Sequence, residues 1–359
     1  MKKIILALGI FCLAPKAFAQ QDSIVNPLSI SGYAELYYNY DFGKPSDHTR
    51  PNFLYSYNRH NEVNLNLGFV KAAYQQANVR ANLALMAGTY AAANLAAEQS
   101  IMQHIFEANA GVRLSKSKDI WVDAGVFGSH IGFESAIGKD CPTLTRSLLA
   151  ENSPYYESGA KITYVSDNKK LTLSGLYLNG WQRIRRPDGN NTPAFGHQLI
   201  YKPNDKITLN SSSFVGNDQP DSLRQMRYFH NFYGIFALHS KLNLITGFDI
   251  GWQQKSKGSS QYNNWYSPVA ILQYNPTPKH SLAARAEYYA DPNHVIVGYA
   301  PAQKFQVWSY SANFDYKFSS NIVWRSEARL FSAKNAIFQQ DNSYKKSNVA
   351  LTTALAVSF

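Results

Sequence analysis

The stretch that decides the fold is SNVALTTALAVSF, residues 347–359, at the carboxyl end of the chain. One side of this stretch is mainly apolar and the other is small or polar. The apolar side consists of Val349, Leu351, Thr353, Leu355, Val357 and Phe359. A period of two predicts a β-strand with two different faces. A closed barrel would pair this last strand with the first, whereas the alternative, an ordinary sheet edge, would leave it open to aggregation.

Composition favours a barrel that is apolar outside and polar within. The chain has 359 residues, of which 14% are aromatic and only 16% are charged. Charged residues make up about a quarter of an average soluble domain. A transmembrane β-barrel carries aromatic girdles at both membrane interfaces and keeps its polar side chains in the lumen, which fits these proportions.

The first 19 residues have the pattern of a signal peptide that is removed on export. Lys2 and Lys3 precede the apolar run at 4–14, and Ala17-Phe18-Ala19 has the small residues that a cleavage site requires. We therefore expect one mature domain at 20–359. The net charge is +11, and loss of the three lysines in the peptide leaves +8. A basic net charge is typical of proteins that bind nucleic acid, but export argues against that partner, and the lysines fall mostly in predicted turns and not in one patch.

The rest of the chain repeats the alternation in paired segments. Short connections rich in Lys, Asn, Asp, Ser and Pro lie within each pair, and longer segments separate the pairs. Short periplasmic turns and long extracellular loops alternate in this way in bacterial outer-membrane barrels. The long segments are 41–59, 91–104, 134–156, 182–193, 216–226, 253–260, 291–303 and 332–346. We predict an all-β, antiparallel, up-and-down transmembrane barrel of about 16 strands.

Two segments carry predictions about strand faces. Alternation over residues 62–74 places Val63, Leu65, Leu67 and Phe69 on the outer face. Residues 171–181 break the alternation, because leucines 171 and 173 have one parity and leucines 176 and 178 the other. We interpret this break as a β-bulge or a shifted register.

Charged side chains fall on the inward positions of several strands. They cannot face lipid, where an Arg at mid-membrane would cost about 2–4 kcal/mol. The candidate pore-lining residues are Arg80, Arg113, Arg285, Glu287, Arg325, Glu327 and Arg329. The alternative is a salt-bridged ladder that only braces the wall. A barrel of about 16 strands leaves an aqueous channel, which favours a pore lining with a mild preference for anions.

The segment 134–156 mixes charged and apolar residues in a way that an exposed loop does not need. Asp140, Arg146 and Glu151 alternate with Leu144, Leu148 and Leu149. We predict a loop that folds inward and constricts the pore, with Asp140, Arg146 and Glu151 at the constriction. A surface flap is the alternative.

Several stretches of this chain resemble the beta-barrel porin-2 (OmpL-like) family of outer-membrane proteins. They are SGYAELYYNYDF, RHNEVNLNLGFVKAAY, DAGVFGSHIGFES and the Phe-terminated last strand. The resemblance covers nearly the whole mature chain and implies a pore for small hydrophilic solutes in the outer membrane of a Gram-negative cell. It also implies that the last strand engages the outer-membrane assembly machinery. It carries no catalytic or ligand motif.

Other functional classes find little support in the sequence. No G-x-S-x-G elbow, phosphate loop or H-E-x-x-H motif is present, so we expect no enzyme and no cofactor or metal. Membrane lipid and small hydrophilic solutes are the expected partners, and a homo-oligomer is compatible with the sequence. A substrate-specific outer-membrane transporter, or an adhesive barrel with binding loops, is the alternative function.

Overall fold

Sixteen antiparallel strands close into one barrel in the computed structural model, which describes residues 26–298, 304–340 and 343–359. The signal peptide predicted at 1–19 lies outside these residues. The strands of the barrel are β1 (Leu28–Asp41), β2 (Val63–Gln76), β3 (Val79–Ala87), β4 (Ile105–Arg113), β5 (Asp119–Gly128), β6 (Tyr156–Val165), β7 (Leu171–Leu178), β8 (Ala194–Asn204), β9 (Ile207–Gly216), β10 (Arg227–His239), β11 (Leu242–Gln254), β12 (Tyr262–Thr277), β13 (His280–Asp291), β14 (Phe305–Lys317), β15 (Ile322–Ala333) and β18 (Ser347–Ser358).

Each barrel strand pairs with its neighbours in sequence, apart from the short hairpin of β16 (Phe338–Gln340) and β17 (Ser343–Lys345), which lies outside the barrel sheet. The connections contain two short helices, α1 (Thr89–Asn94) and α2 (Leu148–Glu151). Single 3₁₀ turns occur at Met102–His104, Gly138–Asp140 and Asp221–Leu223. Within the described ranges, no helix has the length and apolar character needed to cross a membrane.

The last strand closes the barrel against the first, as its sequence predicts. Strand β18 pairs with β1 from Tyr33 opposite Ser358 to Asp41 opposite Ala350. Beyond this ladder, the amide of Gly32 donates to the carbonyl of Phe359 at 2.9 Å, and the amide of Phe359 donates back at 3.1 Å. A Cβ atom on Gly32 would lie 2.2 Å from Cζ of the Phe359 ring, so a glycine is required for this approach.

The alternation of the two faces follows the sequence in most strands. In β18 the outer positions Val349, Leu351 and Leu355 are exposed, while Ala350 and Ala354 are buried. An outer surface of large apolar side chains is the surface that lipid requires. The inward positions of β13 and β15 carry the predicted charged residues, all of them buried.

Two predictions about strand faces are wrong. A bulge at Asn66 shifts the register between β1 and β2, so Leu67 lies opposite Glu35 and turns inward, as does Phe69 opposite Tyr33. The predicted irregularity at 171–181 is absent, since β7 pairs with β6 and β8 in continuous register. The parity break has another cause, which the inside of the barrel explains.

Candidate functional site: an inner loop held on the barrel wall

The connection between β5 and β6, called L3 below, contains the predicted loop 134–156 and packs against the inner wall of the barrel. Its helix α2 has Ser147 as the N-cap, whose hydroxyl accepts from the amide of Ala150 at 3.4 Å. Glu134 in turn accepts a hydrogen bond from the Ser147 amide at 3.0 Å and another from its hydroxyl. Burial raises the pKa of Glu134, so these bonds offset part of the cost of desolvating its carboxylate.

Arg285 on β13 binds L3 directly. Its Nη1 donates to the carbonyl of Thr145 at 2.7 Å and to Oγ1 of Thr143 at 2.9 Å. Its Nη2 donates to Oε1 of Glu327 on β15 at 2.8 Å. The other oxygen of Glu327 accepts from the amide of Thr145 at 2.5 Å. Arg285 and Glu327 together therefore bind both the backbone carbonyl and the backbone amide of Thr145.

Arg329 and Glu287 make the same arrangement one step further along the loop. The Nη2 of Arg329 lies 2.7 Å from Oε1 of Glu287, and its Nη1 donates to the carbonyl of Arg146 at 2.9 Å. Glu287 accepts from the amide of Leu148 at 2.5 Å. Charge-assisted hydrogen bonds of this kind are stronger than neutral ones, so the two pairs fix the backbone of Thr145, Arg146 and Leu148 to the wall.

Arg325 holds the start of the loop. Its Nε and Nη2 form a two-point ion pair with Asp315 on β14, at 2.8 and 2.9 Å. Its remaining donors reach the carbonyls of Gly138 at 2.5 Å and Cys141 at 3.0 Å. Beside it, Asn313 accepts from the amide of Leu144 at 2.9 Å. The side chain of Arg325 is only 1% exposed.

Arg146 stabilises the fold of the loop itself. It donates to the carbonyls of Leu144 at 2.6 Å, Ser135 at 2.7 Å and Ala136 at 3.1 Å. The guanidinium also lies 5.8 Å from the ring centroid of Tyr57 in the connection between β1 and β2, called L1 below. Five donors in a planar fork can bind several carbonyls at once, which a lysine could not do with the same geometry.

Glu151 connects L3 to L1. Its Oε2 accepts from the amides of Tyr55 at 2.8 Å and Ser56 at 3.2 Å. Burial raises the pKa of Glu151 to about 7, because these two bonds only partly offset desolvation of the carboxylate. The contact between the loops therefore depends on a group that changes its charge near neutral pH.

An apolar contact explains the irregular parity of β7. Leu176 and Leu178 point inward and are 5% and 0% exposed. They belong to one buried cluster with Leu148 of α2 and Trp265 of β12. Strand β7 therefore alternates regularly, but its inner face is apolar in the part that L3 covers.

The early strands carry a second set of inward charges that L3 leaves more exposed. Arg80 forms a two-point ion pair with Asp123, at 2.6 and 2.5 Å, and its guanidinium lies 4.3 Å from the ring centroid of Trp121. Lys71 pairs with Glu107 at 2.7 Å. The side chains of Arg80 and Lys71 are 31% and 26% exposed, in contrast to the buried arginines of β13 and β15.

The residues predicted from sequence thus fall into three groups. Arg285, Glu287, Arg325, Glu327 and Arg329 bind the loop, whereas Arg80 and Arg113 line a cavity of about 450 Å³ at the end of the barrel with the short turns. Arg146 and Glu151 are buried within the loop contacts, while Asp140 is exposed and pairs with Lys139 at 3.0 Å. Sequence reasoning missed Asp315, Asn313 and Glu134, and of their contacts with Arg325, Leu144 and Ser147 only that of Asn313 with Leu144 joins residues far apart in sequence.

A closed barrel of sixteen strands with a charged interior and a long loop against its inner wall defines the class of outer-membrane porins. The chain belongs to the family described as "Putative beta-barrel porin-2, OmpL-like", whose model matches residues 27–359. No curated protein sequence matches the chain significantly.

Solved porin structures share this fold at low sequence identity. The anion-selective porin from Comamonas acidovorans has a TM-score of 0.59 at 8% identity, covering 92% of this chain and 99% of that one. The trimer form of OmpT from Vibrio cholerae has a TM-score of 0.61 at 8% identity, with coverage of 92% and 99%. The outer membrane channel DcaP of Acinetobacter baumannii has a TM-score of 0.56 at 11% identity, covering 92% of this chain and 97% of that one.

Proposed function

We propose that this protein is a passive, non-enzymatic channel for small hydrophilic solutes in the outer membrane of a Gram-negative cell. The observation that carries the proposal is the position of L3. Three arginines fasten the loop to β13–β15, whereas the charged groups of β2–β5 keep part of their surface free. A water-filled path along β2–β5 would need no cofactor and would carry solutes down their gradients.

The size of the path would be set where L3 faces β3 and β4. A cavity of about 270 Å³ lies there, lined by both polar and aromatic groups. Its lining includes Met86, Phe106, Glu107, Phe133 and Glu134. We assign the constriction to this gap, between the loop and the wall to which it is not fastened.

Charge selectivity would come from the early strands rather than the late ones. On β13–β15 each arginine is matched by a buried carboxylate, so that wall presents little net charge to a passing ion. On β2–β6, Lys71, Arg80, Arg113 and Lys161 face the carboxylates of Glu107, Asp119 and Asp123, while Glu157 is fully buried against His130. The excess of cations supports a mild preference for anions.

Planar-bilayer recording of the mature chain under a salt gradient tests this proposal. Discrete ohmic steps with a reversal potential of the anion-selective sign are the expected result. A folded, heat-modifiable barrel that gives no steps would reject passive diffusion. Steps with a cation-selective potential would reject the assignment of selectivity to β2–β6.

A substrate-specific transporter is the second candidate, and a cavity at the opposite mouth favours it. This cavity of about 370 Å³ is lined by Tyr55, Trp181, Gln182, Arg183 and Arg227, among others. Aromatic rings beside hydrogen-bonding groups are suited to sugars or small organic anions. Liposome swelling with sugars of graded size discriminates the two: uptake that depends only on size supports the general pore, and uptake of one chemical class supports the transporter.

A further inference from the structure

The outer face of the barrel carries a polar row among its apolar side chains. Gly175 lies opposite His197, His197 opposite Ser213, and Ser213 opposite His230, so these four residues cross β7, β8, β9 and β10 in one line. The next row towards the long loops is mainly aromatic and consists of Tyr177, Phe195, Val215 and Tyr228. The polar row therefore lies below the aromatic girdle, on the part of the wall that the membrane covers.

Hydrogen bonds connect the members of this row and a neighbour below it. The hydroxyl of Ser213 lies 2.6 Å from Nδ1 of His197, and Nε2 of the same ring lies 3.3 Å from the hydroxyl of Ser211. Ser211 also lies 3.0 Å from Nε2 of His230. In the described chain Nδ1 of His230 makes no hydrogen bond, so the network ends in an unpaired polar atom at an outer position of β10.

Hydrocarbon cannot satisfy such groups. Acyl chains offer neither donors nor acceptors, and imidazoles on a lipid-facing surface are rare because their charged form is strongly disfavoured there. On the opposite side of the barrel the outer positions of β18 are mainly apolar, and the polar Thr353 among them is satisfied by hydrogen bonds to Trp324 and Ser326. The row satisfies most of its polar atoms internally, but Nδ1 of His230 still needs a membrane-embedded partner that can supply a hydrogen bond.

We propose that this partner is a second copy of the same chain, and that the row His197–Ser213–His230 lies in the contact between copies. Serine and neutral histidine each contain a donor and an acceptor, so two such rows are complementary to each other. Gly175, which is exposed at one end of the row, leaves space there for close approach of another wall. The inference rests on the membrane placement in the proposed function and not on conduction.

The test is the oligomeric state of matched variants, measured by native mass spectrometry and light scattering in mild detergent. We expect the parent chain to be oligomeric, and the double variant His197→Leu/His230→Leu to shift to monomers. Thr353 is the matched control, because it is also a polar outer residue, hydrogen-bonded to Trp324 at 2.7 Å, on the far side of the barrel. Thr353→Val should leave the oligomer unchanged.

Cross-linking in intact outer membranes locates the contact. Ser213→Cys treated with a short bis-maleimide should give a covalent dimer, whereas Thr353→Cys should not. The parent chain, whose Cys141 is buried, gives the background level of cross-linking. The proposal would be overturned if the parent chain were a monomer, with or without retained lipid. It would also be overturned by an oligomer that neither responds to the double variant nor cross-links through position 213. Bilayer conductance of the same variants shows whether each is folded and keeps the channel question separate.

Discussion

Arg285 and Glu327 meet across strand β14, with Nη2 of the arginine 2.8 Å from Oε1 of the glutamate, and both bind Thr145 of L3. Arg285 and Glu327 could have neutralised only each other, but both also bind Thr145. This loop residue is 140 positions from the arginine and 182 positions from the glutamate in sequence. Breaking a buried ion pair is costly because the remaining charge loses its partner. The loop and the wall are therefore stabilised together.

Replacing Arg285 with Ala should both destabilise the barrel and release the loop. We expect a loss of about 3–5 kcal/mol, typical of an orphaned buried charge, measured by urea unfolding. Single-channel steps should become larger or noisier. The control is Arg59→Ala, whose pair with Glu62 is 31% and 36% exposed and should contribute at most about 1 kcal/mol. Equal losses in both variants would contradict the role assigned to Arg285.

Leu178 supports L3 through apolar contact, and its loss should resemble a cavity in a protein core. Leu178→Ala is expected to cost about 2–5 kcal/mol, because the side chain is fully buried beneath L3. Leu173 is the control on the same strand, since it faces outward and is 39% exposed. Leu173→Ala should change the urea midpoint much less.

The early-strand cations should set the sign of ion selectivity. Replacing Lys71 and Arg80 with Ala leaves Glu107 and Asp123 without their partners, so the wall changes from cationic to anionic. We expect the reversal potential to move towards cation preference. Lys118→Ala, on an exposed turn, is the control and should leave the potential unchanged. A shift of the same size in the control would place selectivity outside the lumen.

The contact of Glu151 with L1 should make stability depend on pH. Its pKa is raised from 4.5 to about 7, so the folded state binds the proton more tightly than the unfolded chain does. The resulting stabilisation, up to about 3 kcal/mol, is complete below pH 4.5 and is lost as pH rises to 7. Glu151→Gln should reduce this slope of the urea midpoint, leaving the smaller part that the raised pKa of Glu134 contributes.

Asp140 provides the comparison for that experiment, because it is a carboxylate of the same loop that remains exposed. Asp140→Asn should retain the slope between pH 4.5 and 7. If the slope survives undiminished in Glu151→Gln and disappears in Asp140→Asn, the assignment to Glu151 is wrong.

Gly32 and Phe359 should be energetically coupled. Gly32→Ala forces the terminal ring to move, since the new methyl would lie 2.2 Å from Cζ. In a Phe359→Ala background the same change should be nearly harmless. A double-mutant cycle on the urea midpoint measures this coupling, and strictly additive effects would show that the ring is not held against Gly32.

Local sequence predicts the outer surface well and the inner surface only in part. Alternation identifies the faces of β18 because lipid imposes one rule along the whole strand. The inner face contacts water in some places and the packed loop L3 in others, so its residues are polar in some places and apolar in others. The apolar pair Leu176 and Leu178 therefore looked like a bulge, and the real bulge at Asn66 gave no signal because polar and apolar residues alternate straight through it.

The partners of the inward arginines could not be predicted for a related reason. Inward position and charge can be deduced from the strand pattern, so Arg325 and Arg329 were identified as lumen residues. Their hydrogen bonds go to backbone carbonyls at Gly138 and Arg146, which have no signature in sequence. Only the folded loop brings those carbonyls to the wall.

The two hydrogen bonds between Gly32 and Phe359 impose an order on biogenesis. The first strand is made early, but its free edge has no partner until strand β18 has been made. Until β18 has been made and has met β1, the apolar edges of these strands are unpaired, and open apolar strand edges are prone to aggregate. Survival of this protein in the cell therefore depends on whatever shields those two strands in transit.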